Sequence, residues 1–321
     1  MYAKKHDAVY TARRKDMAYF CGWDGGGTKT EVCCVDEHGA FIGGGRFGPL
    51  NMNGLARARV SDTVRDCMAF MAKQPGGLNG CAALTIGMAG ASNREASALI
   101  EEAVRAGGYA GRLEVVGDQQ IALAGAVHGA GAVLIAGTGA VCCGRDDSGR
   151  EVRVGGYGYL IDDGGSGYAL GRDILSAVVR AEDGRISPTL LSGMVYEQLN
   201  VYDIRQIITW LYSPDTGKRD VAALAPLLKK ALDAGDAAAI SIAGRAAHDL
   251  AELAVTAWRR LGLNAGELAL TGSILEHYPT IRAQVEAICA QSCAGVNIIP
   301  PRGTPAQGAA AMARASAGIF A

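Results

Sequence analysis

A run of three glycines between two apolar stretches constrains this chain more than any other feature. Three glycines and three polar residues follow Asp24 without a break: Gly25, Gly26, Gly27, Thr28, Lys29 and Thr30. Residues 19–23 and 32–35 on either side read as strands, so the glycines are predicted to form the turn of a β-hairpin. Residues without a Cβ let backbone N–H groups approach an oxyanion closely. With two hydroxyls and a cation alongside, the pattern favours a phosphate-binding loop, and an ordinary glycine-rich hairpin is the alternative.

Asp24 ends the first predicted strand beside this loop. A carboxylate next to bound phosphates is favourable only when Mg²⁺ or its water shell lies between them, so Asp24 is predicted to hold Mg²⁺ through water. The loop is not a Walker A motif, which has four residues between its first glycine and Gly-Lys-Ser/Thr. It is not a dinucleotide-binding loop either, because such a loop opens a helix and this one leads into a strand.

The composition indicates a globular protein with a small-molecule partner. With 321 residues, 49% of them hydrophobic, the chain can bury a large core and is expected to form two domains. The 31 basic residues nearly balance the 32 acidic ones, which leaves no strong field to hold nucleic acid or an anionic membrane. The clustered basic residues fall in residues 1–16, which lack an apolar run and are predicted to be a disordered extension rather than a signal peptide.

Two further patterns concern location. Residues 121–144 carry no Asp, Glu, Lys or Arg, but several glycines interrupt them, so a short helix, a turn and a buried strand are predicted instead of a membrane span. The nine cysteines form no Cys-x-x-Cys motif, and their odd number leaves one unpaired in any disulfide scheme. A reducing, cytoplasmic compartment is therefore expected.

The order of predicted elements repeats along the chain. Strands and helices alternate as far as Gly117-Asp118, which opens a helix over 121–127, and the pattern restarts at residue 132. Thr138 and Cys142-Cys143 weakly echo Thr28 and Cys33-Cys34, as in a duplicated fold. We predict an α/β fold with an N-terminal domain over residues 17–130 and a C-terminal domain over residues 131–321. The second half includes a long helical region over 168–261, broken near 184–188 and 213–217.

Pieces in this order resemble the sugar kinase, actin and heat-shock chaperone ATPase superfamily. Within it, the chain is most similar to the BadF/BadG/BcrA/BcrD-type ATPases, the group that includes N-acetylglucosamine kinase and glucosamine kinases. Four segments carry the resemblance. Asp24 to Thr30 resembles the first phosphate loop, and Gly117-Asp118 resembles the segment with the catalytic aspartate. Ala136-Gly137-Thr138-Gly139 resembles the second phosphate loop, and Leu270-Thr271-Gly272-Ser273 resembles the adenosine loop.

The resemblance implies two duplicated ribonuclease H-like, or actin-like ATPase, domains around an interdomain cleft that holds ATP and Mg²⁺. The activity it implies is phosphorylation of an amino sugar, N-acetylglucosamine or glucosamine. Gly137, Thr138 and Gly139 would hold phosphates, with Thr138 reaching the γ-phosphate, and Gly272 and Ser273 would contact the adenosine. Asp118 would orient a sugar hydroxyl and accept its proton, and the alternative for this residue is a helix N-cap.

The resemblance also extends to a sugar site made by Asn51, Asp118, Thr138 and Asp163. Asn51 falls in Gly48-Pro49-Leu50-Asn51, similar to a Gly-Pro-x-Asn loop that contacts sugar in these kinases, and a turn asparagine is the alternative. Residues 155–167 are similar to Gly-Trp-Gly-x-x-x-Gly-Asp-Glu-Gly-Ser-Gly. Here Asp162 replaces a glycine and Gly164 replaces the glutamate, which leaves Asp163 as the aligned carboxylate.

Other functions on the same fold remain alternatives. An activator of 2-hydroxyacyl-CoA dehydratases would carry a cluster-ligating cysteine in Lys-Cys-Ala-Ala-Gly-Thr-Gly, and a zinc-binding sugar kinase a dense cysteine motif, neither of which this sequence contains. An ATPase without a sugar acceptor, acting as a nucleotide switch, is the remaining alternative. The expected partners are ATP, Mg²⁺ and a small sugar, with no nucleic acid and no membrane, and a homodimer is left open.

Overall fold

A computed structural model describes residues 18–50, 57–91 and 93–318 of the chain. Its contacts divide into two compact units, the first comprising Met1–His128 and Pro301–Ala321 and the second Gly129–Pro300. The chain therefore passes into the second unit after residue 128 and returns to the first at residue 301.

The secondary structure alternates between strands and helices in both units. The strands are β1 (Tyr19–Gly25), β2 (Thr30–Val35), β3 (Phe41–Phe47), β4 (Cys81–Met88), β5 (Arg112–Gly117), β6 (Gly131–Ala136), β7 (Ala140–Arg145), β8 (Glu151–Gly155), β9 (Gly266–Thr271) and β10 (Val296–Ile299). The helices are α1 (Arg57–Met71), α2 (Gly77–Gly80), α3 (Arg94–Ala106), α4 (Asp118–Ala126), α5 (Gly167–Glu182), α6 (Leu190–Leu199), α7 (Ile204–Leu211), α8 (Lys218–Ala222), α9 (Ala225–Asp233), α10 (Ala237–Leu261), α11 (Ser273–His277), α12 (Pro279–Ser292) and α13 (Pro305–Ser316).

The two sheets have the same topology. The first runs in the order β3-β2-β1-β4-β5 and the second in the order β8-β7-β6-β9-β10. In each sheet the first three strands of the unit pair antiparallel and the last two join in parallel. The predicted α/β fold with two similar halves is confirmed, and both sheets follow the ribonuclease H-like order.

The central strand of the first unit is buried on both faces. Tyr19, Cys21 and Trp23 pack into one core with α1 and α3, while Phe20 packs into a second core with alanines of α13. Alternate side chains of a strand point to opposite faces, which explains this division. At Gly22 the backbone of α13 lies where a Cβ would be, so only glycine allows the helix to pack this closely.

The structure corrects the predicted limits of several helices. The helix after β5 begins at Asp118, three residues before the predicted start at 121. The predicted helical region over 168–261 consists of α5 to α10. Besides the two predicted breaks it has three more: at Asn200, which has a φ of 52°, at residues 223–224, and at Gly235, which has a φ of 74°. Asp203 and Asp236 then cap the next helices with their side chains. Asn and Asp favour such positions, so the breaks at Asn200 and Gly235 had a local signal.

The described residues contain neither a membrane-spanning helix nor a cluster of metal-ligating side chains. None of their helices is long and apolar enough to cross a bilayer. They also contain no group of three or more His, Cys, Asp or Glu residues that could hold a metal ion. The nine cysteines are all buried, and none of them forms a disulfide bond. Burial raises the pKa of several thiols, including those of Cys21 and Cys142, so these cysteines behave as small core residues.

Candidate active site

The first glycine loop closes the hairpin between β1 and β2. The Gly26 N–H donates to the Lys29 carbonyl at 2.9 Å, and the Leu50 N–H donates to the Gly26 carbonyl at 3.1 Å. Gly25 is packed so closely that a Cβ would lie 2.8 Å from the Leu50 side chain. Gly27 is partly exposed, and Thr28 and Lys29 are exposed at the tip. The hairpin therefore presents Gly27, Thr28 and Lys29 to solvent.

Two of the polar residues in this loop are already engaged by neighbours. Thr30 is fully buried, and its hydroxyl donates to the Gly48 carbonyl at 2.8 Å, so it anchors the 48–50 loop beneath the hairpin. Lys29 Nζ lies 2.6 Å from Glu31 Oε1, which also receives Arg46 at 2.9 Å. These cations lower the pKa of Glu31. Glu31 was not predicted as a site residue, although its position opposite Asp24 in the β1–β2 register places it beside the loop.

Asp24 lies at the end of β1 among acidic neighbours. Burial, followed by the negative charges of Glu31 and Asp118, raises the pKa of Asp24 to about 6, and Lys29 opposes the shift. Two carboxylates from different elements thus repel each other in one place. A divalent cation would relieve both the burial cost and the repulsion, and a Mg²⁺ ion is commonly held by one or two carboxylates with its other ligands from water and phosphate. The donor set fits Mg²⁺ by this test.

Asp118 is the first residue of α4 and is exposed. The N-cap is Gly117, whose N–H donates to the side chain of Gln120 at 3.1 Å in a capping box. The Asp118 carboxylate accepts only a local hydrogen bond, from the Gln119 N–H at 3.0 Å, among the contacts of the described residues. Asp118 is therefore available to a ligand, and the alternative of an N-cap does not describe its position.

The second glycine loop has a helix N-terminus behind it. Gly137, Thr138 and Gly139 connect β6 to β7, and the Gly137 N–H donates to the Gly139 carbonyl at 2.9 Å. The first N–H groups of α5 donate to this loop, from Gly167 to Gly137 at 2.7 Å and from Tyr168 to Thr138 at 3.4 Å. The positive end of a helix dipole thus supports the loop, which favours bound anions.

Asp163 is buried against the second loop. It is 3% exposed, has a φ of 65°, and accepts a hydrogen bond from the Ala140 N–H at 3.3 Å. Its other oxygen lies 3.0 Å from Lys218 Nζ, which also sits 5.5 Å from the centre of the Tyr159 ring. A Cβ on Gly139 would lie 3.0 Å from the Asp163 carboxylate. These contacts make Asp163 a support for the phosphate loop.

The two departures in the 155–167 segment also have structural explanations. Asp162 accepts a hydrogen bond from the Tyr157 N–H at 3.0 Å and so closes its own loop. Gly164 lies beside Asp249 of α10, and a Cβ at residue 164 would come within 2.9 Å of the Asp249 carboxylate. Burial, with Asp173 and Glu252 nearby, raises the pKa of Asp249. A carboxylate from another element therefore lies next to the position where the sequence lacks the expected glutamate.

A cavity of about 310 Å³ lies between the second glycine loop and Ser273 of the predicted adenosine loop. Gly272, with a φ of 99°, packs against the end of β6, and Ser273 begins α11. The cavity is lined by the second glycine loop and by mostly apolar residues of four helices and the residue after the last of them: Gly137, Thr138, Gly167, Ala222, Ala225, Pro226, Lys229, Ser273, Ile274, His277 and Tyr278. The sequence did not indicate the contribution of α8 and α9. Asn51 lies outside the described residues.

These features define an α/β nucleotide-binding protein with two ribonuclease H-like units, each with a glycine hairpin at the end of its central strand. The chain belongs to the BadF/BadG/BcrA/BcrD ATPase family, whose model matches residues 21–313.

Curated relatives and solved structures agree with this membership. The N-acetylmuramic acid/N-acetylglucosamine kinase of Clostridium acetobutylicum is 34% identical over 73% of this chain and 77% of its own length. The glucosamine kinase GspK of Vibrio cholerae is 32% identical over 81% of this chain and 86% of its own. A candidate N-acetylglucosamine kinase from Chromobacterium violaceum superposes with a TM-score of 0.73 at 25% identity, over 92% of this chain and 98% of that one.

Proposed function

We propose that this protein is an ATP-dependent kinase that phosphorylates an amino sugar, N-acetylglucosamine or glucosamine, on its primary hydroxyl. The observation that carries the proposal is the cavity in the second unit, where the second phosphate loop and the adenosine loop share one apolar pocket. The two curated relatives described above are named as kinases of N-acetylmuramic acid, N-acetylglucosamine or glucosamine, which supports an amino sugar as acceptor.

The cavity suits the base and ribose of ATP. Ala222, Ala225, Pro226 and Tyr278 offer apolar surface for the base, and a volume of about 310 Å³ is at the lower end of the range for small-molecule sites. Gly137 and Thr138 line the same cavity, where Thr138 would bind phosphate oxygens. Asp163 and Lys218 fix the loop from behind, so its donors are held in place before the nucleotide arrives.

The carboxylates of the first unit supply the remaining groups. Asp24 would hold a Mg²⁺ ion through intervening water. When bound, this ion would neutralise charge on the phosphates. Burial, with the negative charges of Glu31 and Asp118 nearby, raises the pKa of Asp24, which supports a cation at this place.

Asp118 would act as the general base. Its exposed carboxylate at the start of α4 can accept the proton of a sugar hydroxyl as the hydroxyl oxygen attacks the γ-phosphorus. The bond from this phosphorus to the bridging oxygen breaks as the new one forms, and ADP leaves with its electron pair. A carboxylate can serve as this base, because in a loose transition state the proton leaves late.

The acceptor is tested by measuring ADP release with a coupled assay at fixed MgATP. N-acetylglucosamine, glucosamine, N-acetylmuramic acid and glucose are compared with a reaction that has no acceptor. We expect one of the amino sugars to raise turnover at least tenfold over the reaction without acceptor, and ³¹P NMR of the product to show a phosphate on the primary hydroxyl. Equal ADP release with and without every sugar would show a bare ATPase and overturn the proposal.

A further inference from the structure

A second polar cavity lies at the opposite end of β2 from the first glycine loop. Its volume is about 330 Å³, and all its lining residues belong to the first unit. β2 begins at Thr30, next to the glycine loop, and ends at Val35, which lines this cavity. Five residues of strand span about 17 Å, so the cavity is separate from the proposed catalytic groups.

The charges that line this cavity are of one sign. Two arginines and two histidines line it, Arg302, Arg314, His38 and His128, and its described lining contains no carboxylate. Two acidic residues lie nearby, and Glu37 Oε1 is 3.5 Å from Nε2 of His38. Asp36 accepts hydrogen bonds from the N–H groups of His38 and Ala40 in its own turn. Among the described residues, a lining with two guanidinium groups and no carboxylate favours an anion.

Arg314 has a hydrogen-bonding group that the protein leaves unsatisfied. Its Nε is buried and has no partner among the described residues. The Arg314 guanidinium lies against the backbone of Gly39, in space that a Cβ at residue 39 would occupy. A buried N–H without an acceptor costs free energy, and native proteins rarely keep one without a bound partner or function.

Backbone hydrogen bonds hold residues 302–303 of the cavity lining against the end of α4. The Arg302 N–H donates to the Ala126 carbonyl at 3.1 Å, and the Gly303 N–H donates to the Gly125 carbonyl at 2.8 Å. The carbonyl groups at the end of α4 are therefore paired and do not oppose an anion. On the other side, Gln307 uses its amide oxygen to cap α13, which leaves the amide nitrogen as a further donor.

We propose that this cavity binds a phosphate monoester carried by a group of monosaccharide size. The arginines match a phosphate, which accepts paired hydrogen bonds from guanidinium groups. The ring of Phe41 at the rim is 65% exposed and offers an apolar face to the carbon side of a sugar ring. The volume is at the lower end of the range for small-molecule sites. The proposal does not depend on the kinase activity, because binding is measured directly.

The test is titration calorimetry of the nucleotide-free protein with glucose 6-phosphate, inorganic phosphate and glucose. We expect glucose 6-phosphate to bind more tightly than phosphate, and glucose not to bind. Arg314→Gln should weaken glucose 6-phosphate binding at least tenfold, because it removes a charge-assisted contact. Arg65→Gln is the matched control, since Arg65 is 70% exposed on α1 and does not line the cavity, and it should leave binding unchanged.

Two further variants keep the result unambiguous. Phe41→Ala changes an exposed residue, so folding is preserved, and it should weaken glucose 6-phosphate while leaving phosphate unchanged. Lys29→Gln, in the first glycine loop, should leave the affinity for glucose 6-phosphate unchanged. Absence of binding at 10 mM ligand, equal affinity for phosphate and glucose 6-phosphate, or loss of binding in Lys29→Gln with retention in Arg314→Gln would each overturn the proposal.

Discussion

Replacing Asp24 by asparagine should make the protein more stable at alkaline pH. Burial, together with the charges of Glu31 and Asp118, raises the pKa of Asp24 from 3.8 to about 6 in the folded protein. A carboxyl whose pKa rises on folding holds its proton more tightly in the folded than in the unfolded state. Its ionisation therefore lowers the free energy of unfolding as the pH rises from about 4 to about 6.

The size of the effect follows from the pKa shift. One pKa unit corresponds to about 1.4 kcal/mol, so ionised Asp24 lowers the free energy of unfolding by about 3 kcal/mol at pH 8. Asparagine has nearly the same shape and no charge. Since Lys29 loses a favourable partner and some water reaches the site, we expect Asp24→Asn to gain about 1 to 3 kcal/mol at pH 8. About half of this gain should remain at pH 5, and little at pH 4.

The assay is urea unfolding without nucleotide or Mg²⁺, because bound ligands would add their own stabilisation. Wild type and Asp24→Asn are compared at pH 8, 5 and 4. Asp62→Asn, with a side chain 57% exposed on α1, is the matched control and should change the free energy of unfolding by less than about 0.5 kcal/mol. Equal stability of Asp24→Asn and wild type at pH 8, or a gain of the same size at all three pH values, would refute the reasoning.

The other predictions concern the nucleotide and its supports. Ala222→Leu should fill the cavity of the second unit and raise the KM for ATP, measured by steady-state kinetics, at least tenfold. Ala223→Leu changes an exposed neighbouring residue outside the cavity and should leave this KM unchanged. In Asp163→Asn the new residue tolerates a φ of 65°, but the ion pair with Lys218 is lost. Urea unfolding should show a loss of about 1 to 3 kcal/mol in the free energy of unfolding, and steady-state kinetics should show a higher KM for ATP. Thr28→Val should weaken ATP binding and leave the affinity for the sugar unchanged, and calorimetry showing the reverse would contradict the assignment of the first loop.

Local signals in the sequence predicted the strands and hairpins well. The glycine hairpins stand out because an apolar run, glycines and a second apolar run leave few alternatives to a tight turn between strands. The predicted start of the helix after Gly117 was late, because Asp118, Gln119 and Gln120 are polar and fall outside the apolar periodicity that marked the helix.

The supports of the candidate site could not be predicted, because they depend on contacts between distant residues. Asp163 meets Lys218 across 55 positions of the chain. Gly164 meets Asp249, and Ala222 meets Ser273 across the cavity, only after the helices of the second unit have packed. The burial of Thr30 could not be predicted for the same reason, because it depends on a contact with a distant residue. A hydroxyl in a glycine loop indicates phosphate binding, but here it donates to Gly48.

The role of Asp118 is tested most directly by comparing Asp118→Asn with wild type in one experiment that measures sugar phosphate formed per second and the Kd for ATP. Asp118 is exposed at the first position of α4, so its replacement should change stability by less than about 1 kcal/mol. We predict that turnover with the best amino sugar falls by roughly 10² to 10⁴, the range for loss of a general base, while the Kd for ATP stays within about threefold of wild type. Glu102→Gln, at an exposed position on α3, should leave both quantities unchanged. Wild-type turnover in folded Asp118→Asn would contradict the account, because the sugar kinase would then have no catalytic base in the first unit.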